Sequence, residues 1–323
     1  MPAMPPSSLR SASSKHRRAS SAFSSATSNR VFSVSSARYR QDVLELNGVS
    51  IHKSRDTAPP AIQCLVDDIL SAPRDEAAPS PEELRRWVRA IVKAEDRGED
   101  GVGNTLLSSI SLLPPDEHHE LVQRCGSLPF ARPDVCLPRI SGSDALTTNV
   151  PRISPPVPDV TYGLRAAAFT TQQRVVMTTI PPTSTVAQPI VELFWPFLVV
   201  GFKAQNKAGS MYTAINQCAG GGSAAVKAQK ILAGQWRVDP PATHAAFSCA
   251  MDDRSAELFV HHASKDGATY HMTSINRYLL ADPEHLARLH LHLHNIANWG
   301  RGGHLTAVRR LLNAQIARAL PAD

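Results

Sequence analysis

Asp159 and Lys203 are the two residues of this 323-residue chain whose types and settings invite chemistry together. Asp159 follows Pro158 at the head of a short extended stretch, Asp159 to Leu164. Lys203 closes the run Phe194 to Phe202, which is almost continuously apolar, aromatic or β-branched and predicts a strand buried on both faces. Side chains two apart on a strand share a face, so position 201 and Lys203 point one way and can meet Asp159 on an adjacent strand. A carboxylate is a hard oxygen donor for Mg2+, which usually takes one or two carboxylates together with waters and substrate phosphates. The residue sharing the face of Lys203 is Gly201, which adds no side-chain oxygen.

The elements that must position these residues are legible along the chain. An α-rich segment runs from about 58 to 125, with helices expected over Ala61 to Leu70, Asn104 to Leu112 and Asp116 to Arg124. Its clearest helix opens at Ser80-Pro81-Glu82-Glu83, a serine cap, a first-turn proline and a capping-box glutamate, and carries the apolar stripe Leu84, Trp87, Val88, Ile91 and Val92. Residues 126 to 158, rich in Pro, Gly and Ser, read as a wrapping connection. Small residues from Ser210 to Leu232 predict a helix, bent near Gly220-Gly-Gly222. Strands are expected over Ala245 to Met251, Glu257 to Ala263 and Thr269 to Tyr278. Asp282-Pro283 opens a helix over Glu284 to Asn298, the glycines from Gly300 to Gly303 break it, and a last helix covers Leu305 to Leu320. Helices around a mixed sheet with a crossover helix make an α/β fold.

Composition sets limits on partners. No apolar run approaches the roughly 20 residues needed to span a bilayer, so no membrane partner is expected. The net charge of +6 lies in the tail: residues 1 to 41 hold seven Lys or Arg and 13 serines before the first acid, Asp42, a composition that predicts disorder. In that tail Lys15-His-Arg-Arg18 suits a nuclear-import patch, the acid-free Arg- and Ser-rich composition suits an organellar transit peptide, and Arg17-Arg-Ala-Ser20 suits a basic-directed kinase. A nuclear or cytoplasmic location is the expectation, ahead of a mitochondrial one. Within the body, residues 159 to 239 carry seven basic and three acidic side chains, the one block where a polyanion footprint would lie. The five cysteines are scattered and never form a C-x-x-C pair, which argues against a disulfide framework and a zinc site.

Pro158-Asp159, Tyr162-Gly163, the apolar strand ending in Gly201-Phe-Lys203, and Asn216-Gln-Cys-Ala-Gly-Gly-Gly222 resemble the restriction-endonuclease-like superfamily, the PD-(D/E)XK nucleases. They are more closely similar to a fungal group of uncharacterised proteins with a domain of that type, and Tyr39-Arg-Gln-Asp-Val-Leu44 fits the start of such proteins. The likeness covers roughly 130 to 300. It implies a restriction-endonuclease-like mixed sheet flanked by helices, with an α-helical N-terminal extension and C-terminal helices. The divisions are a tail over 1–41, a helical extension over 42–128 and the nuclease-like domain over 129–323.

The resemblance also implies roles. Asp159 would ligate Mg2+, Lys203 would orient or activate the attacking water, and Gln217 would hydrogen-bond substrate or Lys203, with helix-to-sheet packing as its plainer reading. Tyr162 and Asn216 fall in the matched motifs as binding residues. The motif acid is replaced by Gly201, so a compensating carboxylate is sought elsewhere; Glu99, with Asp100 beside it, precedes an apolar segment and is the candidate second metal ligand, and Glu192 is a poorer one.

Three readings follow. The first is a catalytically degenerate nuclease-like protein, a pseudoenzyme that keeps its groove for DNA or RNA. The second is an active Mg2+-dependent nuclease with a relocated acid, and the third is a protein-interaction scaffold. His290 and His294, at i and i+4, could bind a transition metal but are more simply part of an amphipathic helix, and nothing in the sequence activates Cys218 as a nucleophile.

Overall fold

The computed structural model describes residues 32–73, 78–94, 103–106, 122–131, 133–139, 150–204, 210–234 and 244–319. The apolar run forms β4 (Phe194–Phe202), every residue of it buried, and the stretch after Asp159 forms β3 (Val160–Leu164), equally buried. The two pair antiparallel with Val160 opposite Val200, which sets Asp159 level with Gly201. Beyond β3 lies β2 (Val122–Gly126), also antiparallel. Helix α6 (Met211–Gly234) then crosses the sheet and returns the chain as β5 (Ala246–Met251), parallel to β4. Strands β6 (Ser255–Ala263) and β7 (Tyr270–Leu279) continue antiparallel, and β1 (Val49–His52) adds in parallel beyond β7. The seven strands lie in the order β1-β7-β6-β5-β4-β3-β2. The fold is therefore mixed α/β, a single sheet flanked by helices, and Val31–Asp323 forms one compact unit.

Two apolar layers cover the sheet. The larger gathers Tyr162, Leu198, Phe202 and Leu258 with helices α1 (Pro60–Leu70), α2 (Pro81–Ala94), α4 (Thr171–Thr179), α7 (Pro283–Trp299) and α8 (Leu305–Ala319). The other packs Val199, Ala250, Phe259 and Met272 under α6, with Tyr39, Val43 and Leu44 from the chain before β1. Two short helices are α3 (Pro133–Cys136) and α5 (Thr183–Val186). The 43 residues between Asp159 and Lys203 thus hold α4 and α5, and α4 packs beside α8.

Several expectations are corrected. The segment read as a helical extension supplies both edge strands, and the helix expected over Asp116 to Arg124 gives way to β2 from Val122; residues 107–121 lie outside the described residues. Only 103–106 of the helix expected from Asn104 is described, and it is helical. Residues 32–41, read as part of the tail, pack into the fold: the Tyr39 side chain is fully buried and its hydroxyl accepts the Ser154 amide at 3.1 Å. Helix α6 runs without a break through Gly220, Gly221 and Gly222. Gly300 to His304 forms a π-helical turn that carries α7 into α8 instead of stopping it. The nuclear-import and kinase patches lie outside the described residues.

Candidate functional site

The site lies where β3 begins and β4 ends. Asp159 precedes the first residue of β3, and its Oδ2 accepts the backbone N–H of Phe202 at 2.6 Å. Lys203 follows the last residue of β4, and its backbone N–H donates to Met251 O at 3.0 Å. Gly201 faces α6: a Cβ there would sit 3.4 Å from Cys218 Sγ and 3.5 Å from Ala214 O. Position 201 is therefore closely packed against the helix without a clash, and Asp159, opposite it, and Lys203, two residues on, share that face by strand alternation. Asp159 and Lys203 both act on the Cys218 thiol. Burial, the largest cause, pushes that thiol up to about 12; the Asp159 charge adds to the rise, while Ser248 and Lys203 oppose it. Cys218 stays a protonated, buried thiol with no nucleophilic character.

Gln217 belongs to the same neighbourhood. It lies one helical turn from Ala214, which touches Gly201, and from Gly221, which packs on Val199, so it stands over β4. Its Oε1 is buried without a hydrogen-bond partner among the described residues. The other two binding candidates fall elsewhere. Tyr162 alternates to the opposite face, buried in the larger apolar layer, and burial pushes its hydroxyl up to about 12. Asn216 is consumed by structure: Arg40 Nε donates to its Oδ1 at 2.8 Å, and its Nδ2 donates to Val34 O at 2.8 Å. Arg40 also stacks its guanidinium 4.1 Å above the Tyr212 ring, and the Tyr212 hydroxyl donates to Ala37 O. Asn216 is the anchor of a strap, residues 32–47, laid over α6.

The acids are placed as follows. Glu99 and Asp100 lie outside the described residues. Glu192 takes a left-handed backbone, φ 62°, before β4. Sequence reasoning passed over Asp252 and Asp253, which the parallel register of β4 with β5 brings level with Lys203 and Ala204. Both are buried, and Asp252 Oδ1 accepts from Arg254 N, Ser255 N and Ser255 Oγ, which closes the β5–β6 turn. The signal that could have found them is the parallel crossover itself, which sets the ends of consecutive parallel strands side by side. Among the described residues no group of three or more His, Cys, Asp or Glu is placed to hold a metal ion. The Asp159 carboxylate caps a backbone amide and position 201 has no oxygen, so this donor set does not fit Mg2+.

His290 and His294 are buried on α7, and His290 stacks against Trp87 with ring centroids 5.4 Å apart, as amphipathic helix packing predicts. No helix among the described residues is long and apolar enough to cross a membrane.

A seven-stranded mixed sheet flanked by helices defines the fold class. The chain belongs to the family described as domain of unknown function DUF7924, whose model matches residues 86–312. That span takes in β2 to β7, the crossover helix and both site residues. No curated protein matches the chain.

Proposed function

We propose that this chain is a PD-(D/E)XK-type nuclease core that has lost hydrolysis and uses the β3–β4 end as a contact for a nucleic-acid backbone. The observation that carries this reading is the pairing of Asp159 with the Phe202 amide directly across from Gly201, with Lys203 at the strand end. The order of elements supports it: an antiparallel β2–β3–β4 meander, then a crossover helix to a parallel strand, with Asp159 at the start of β3 and Lys203 just past the end of β4. Loss of one hard-oxygen ligand weakens both cation retention and the Lewis-acid and nucleophile-generating roles of the ion. A lysine at the strand end still offers a point charge to a phosphate. The basic excess of residues 159 to 239 favours the same ligand class.

Binding of DNA and RNA oligonucleotides measured across a salt series tests the reading. Affinity should fall steeply with salt, and Lys203→Ala should weaken binding to all sequences alike and reduce the salt slope by about one. Absence of affinity for either nucleic acid at low salt removes it and favours the scaffold.

A further inference from the structure

Three histidines line up across the β1 edge of the sheet, remote in the strand order from β3 and β4. His52 ends β1, His271 stands near the start of β7, and His262 lies near the end of β6, directly opposite His271 in the antiparallel register. His52 Nε2 and His271 Nδ1 are 2.9 Å apart. The His262 ring stacks on His271, with centroids 5.0 Å apart and an interplanar angle of 25°. His52 and His271 are both half-buried, so solvent reaches them, while His262 is buried and its Nε2 has no hydrogen-bond partner among the described residues.

Two imidazole nitrogens so close are near the spacing of neighbouring ligands on one ion. The two nitrogens share a hydrogen bond, so an ion there takes the place of its proton; with metal–nitrogen bonds of about 2.0–2.1 Å in a tetrahedron the nitrogens stand roughly 3.4 Å apart, and the rings part by about half an ångström and turn both lone pairs to the ion. The flanking strands fix both backbones, and the stacked His262 restrains the His271 ring. Nitrogen donors without a carboxylate suit Zn2+ or Cu2+ and not Mg2+ or Ca2+. No third His, Cys, Asp or Glu joins the pair among the described residues, so water completes the coordination.

We propose that His52 and His271 form a two-histidine site for a divalent transition-metal ion, Zn2+ or Cu2+, that latches the edge strand β1 to β7. Strand β1 has four residues and leads back directly into the strap that Asn216 holds on α6. An ion bridging β1 and β7 secures the edge of the sheet and the strap's attachment together, and an ion that binds only the folded state raises its stability.

The test uses the full chain without a histidine tag, titrated with Zn2+, Cu2+ and Mg2+, with calorimetric stoichiometry and melting temperature as readouts. Zn2+ or Cu2+ should bind at this pair and raise the melting temperature, Mg2+ should do neither, and His52→Asn or His271→Asn should weaken the affinity at least tenfold. His290→Asn, on the other histidine pair, should leave it unchanged. Electron paramagnetic resonance of the Cu2+ form should show two nitrogen ligands, reduced to one in His52→Asn; this readout holds even if a variant is less stable. No melting shift with either ion, or a shift that survives both single substitutions, overturns the proposal.

Discussion

The carboxylate of Asp159 accepts the backbone amide of Phe202 at 2.6 Å, so this side chain at the start of β3 ties down the end of β4 that leads into Lys203. That bond gives Asp159 a structural duty independent of catalysis. Asp159→Ala strands the Phe202 amide and should cost about 1–3 kcal/mol in denaturant unfolding. Asp159→Asn keeps an oxygen acceptor and should cost less. Equal stability of all three proteins would contradict the capping role.

Gly222 tests how closely α6 packs on the sheet. A Cβ there would lie 2.3 Å from Cε1 of His261, whose Nε2 is hydrogen-bonded to Ser248 Oγ at 2.7 Å. The ring sits beneath the helix backbone and has no room to withdraw, so Gly222→Ala should destabilise by about 1–3 kcal/mol or more. Gly234, at the end of the same helix, has nothing among the described residues within 4 Å of an added Cβ, and Gly234→Ala should instead stabilise by about 0.4–1 kcal/mol. Urea midpoints of the two variants should therefore move in opposite directions.

The buried histidines predict a steep loss of stability in acid. Burial lowers His261 to about 3 and His262, His292 and His304 to about 4, from an ordinary value of 6.5. Below pH 6.5 the unfolded chain takes up protons that the folded chain refuses. Stability is thus fully present above pH 6.5 and falls as the pH drops toward 4, by about 1.4 kcal/mol per pH unit for each proton taken up. Urea unfolding at pH 7 and pH 5 checks this, and an unchanged midpoint would contradict it.

Asn216 holds the strap through both ends of its amide. Asn216→Ala should free residues 32–40 and expose Arg38 and Arg40 to trypsin, with a stability loss of about 1–3 kcal/mol. If cleavage at these arginines stays as slow as in the wild-type chain, the strap is anchored elsewhere.

Sequence revealed the interior of this fold better than its edges. Strands β3 and β4 and helix α6 stand within a residue or two of their expected limits, because long apolar runs and small-residue helical spacing are local signals. Strand β1 escaped notice: four residues with alternating Ser50 and His52 carry little pattern, and the partner β7 lies more than 200 residues away. Edge strand β2, Val-Gln-Arg-Cys-Gly, followed a polar stretch that reads as helix. The register that sets Asp159 opposite Gly201 follows from the two strands that the sequence predicts. The tie of Asn216 to Arg40 and Val34 was not, since it depends on a strap brought back over α6 from about 180 residues upstream. Asp252 and Asp253 escaped for the same kind of reason, since their place beside Lys203 follows from the parallel register and not from any motif.

The most direct test of the degenerate-core account is Mg2+-dependent cleavage of plasmid and single-stranded DNA by the wild-type chain, Asp159→Ala and Gly201→Glu. A Cβ at position 201 would stand 3.4 Å from Cys218 Sγ, an ordinary contact, so the first carbon of a side chain fits, and Gly201→Glu asks the layer under α6 to open for a carboxylate on the face of position 201. The account predicts no cleavage by the wild-type chain and a gain of Mg2+ affinity in Gly201→Glu. Cleavage by the wild-type chain that disappears in Asp159→Ala would contradict it.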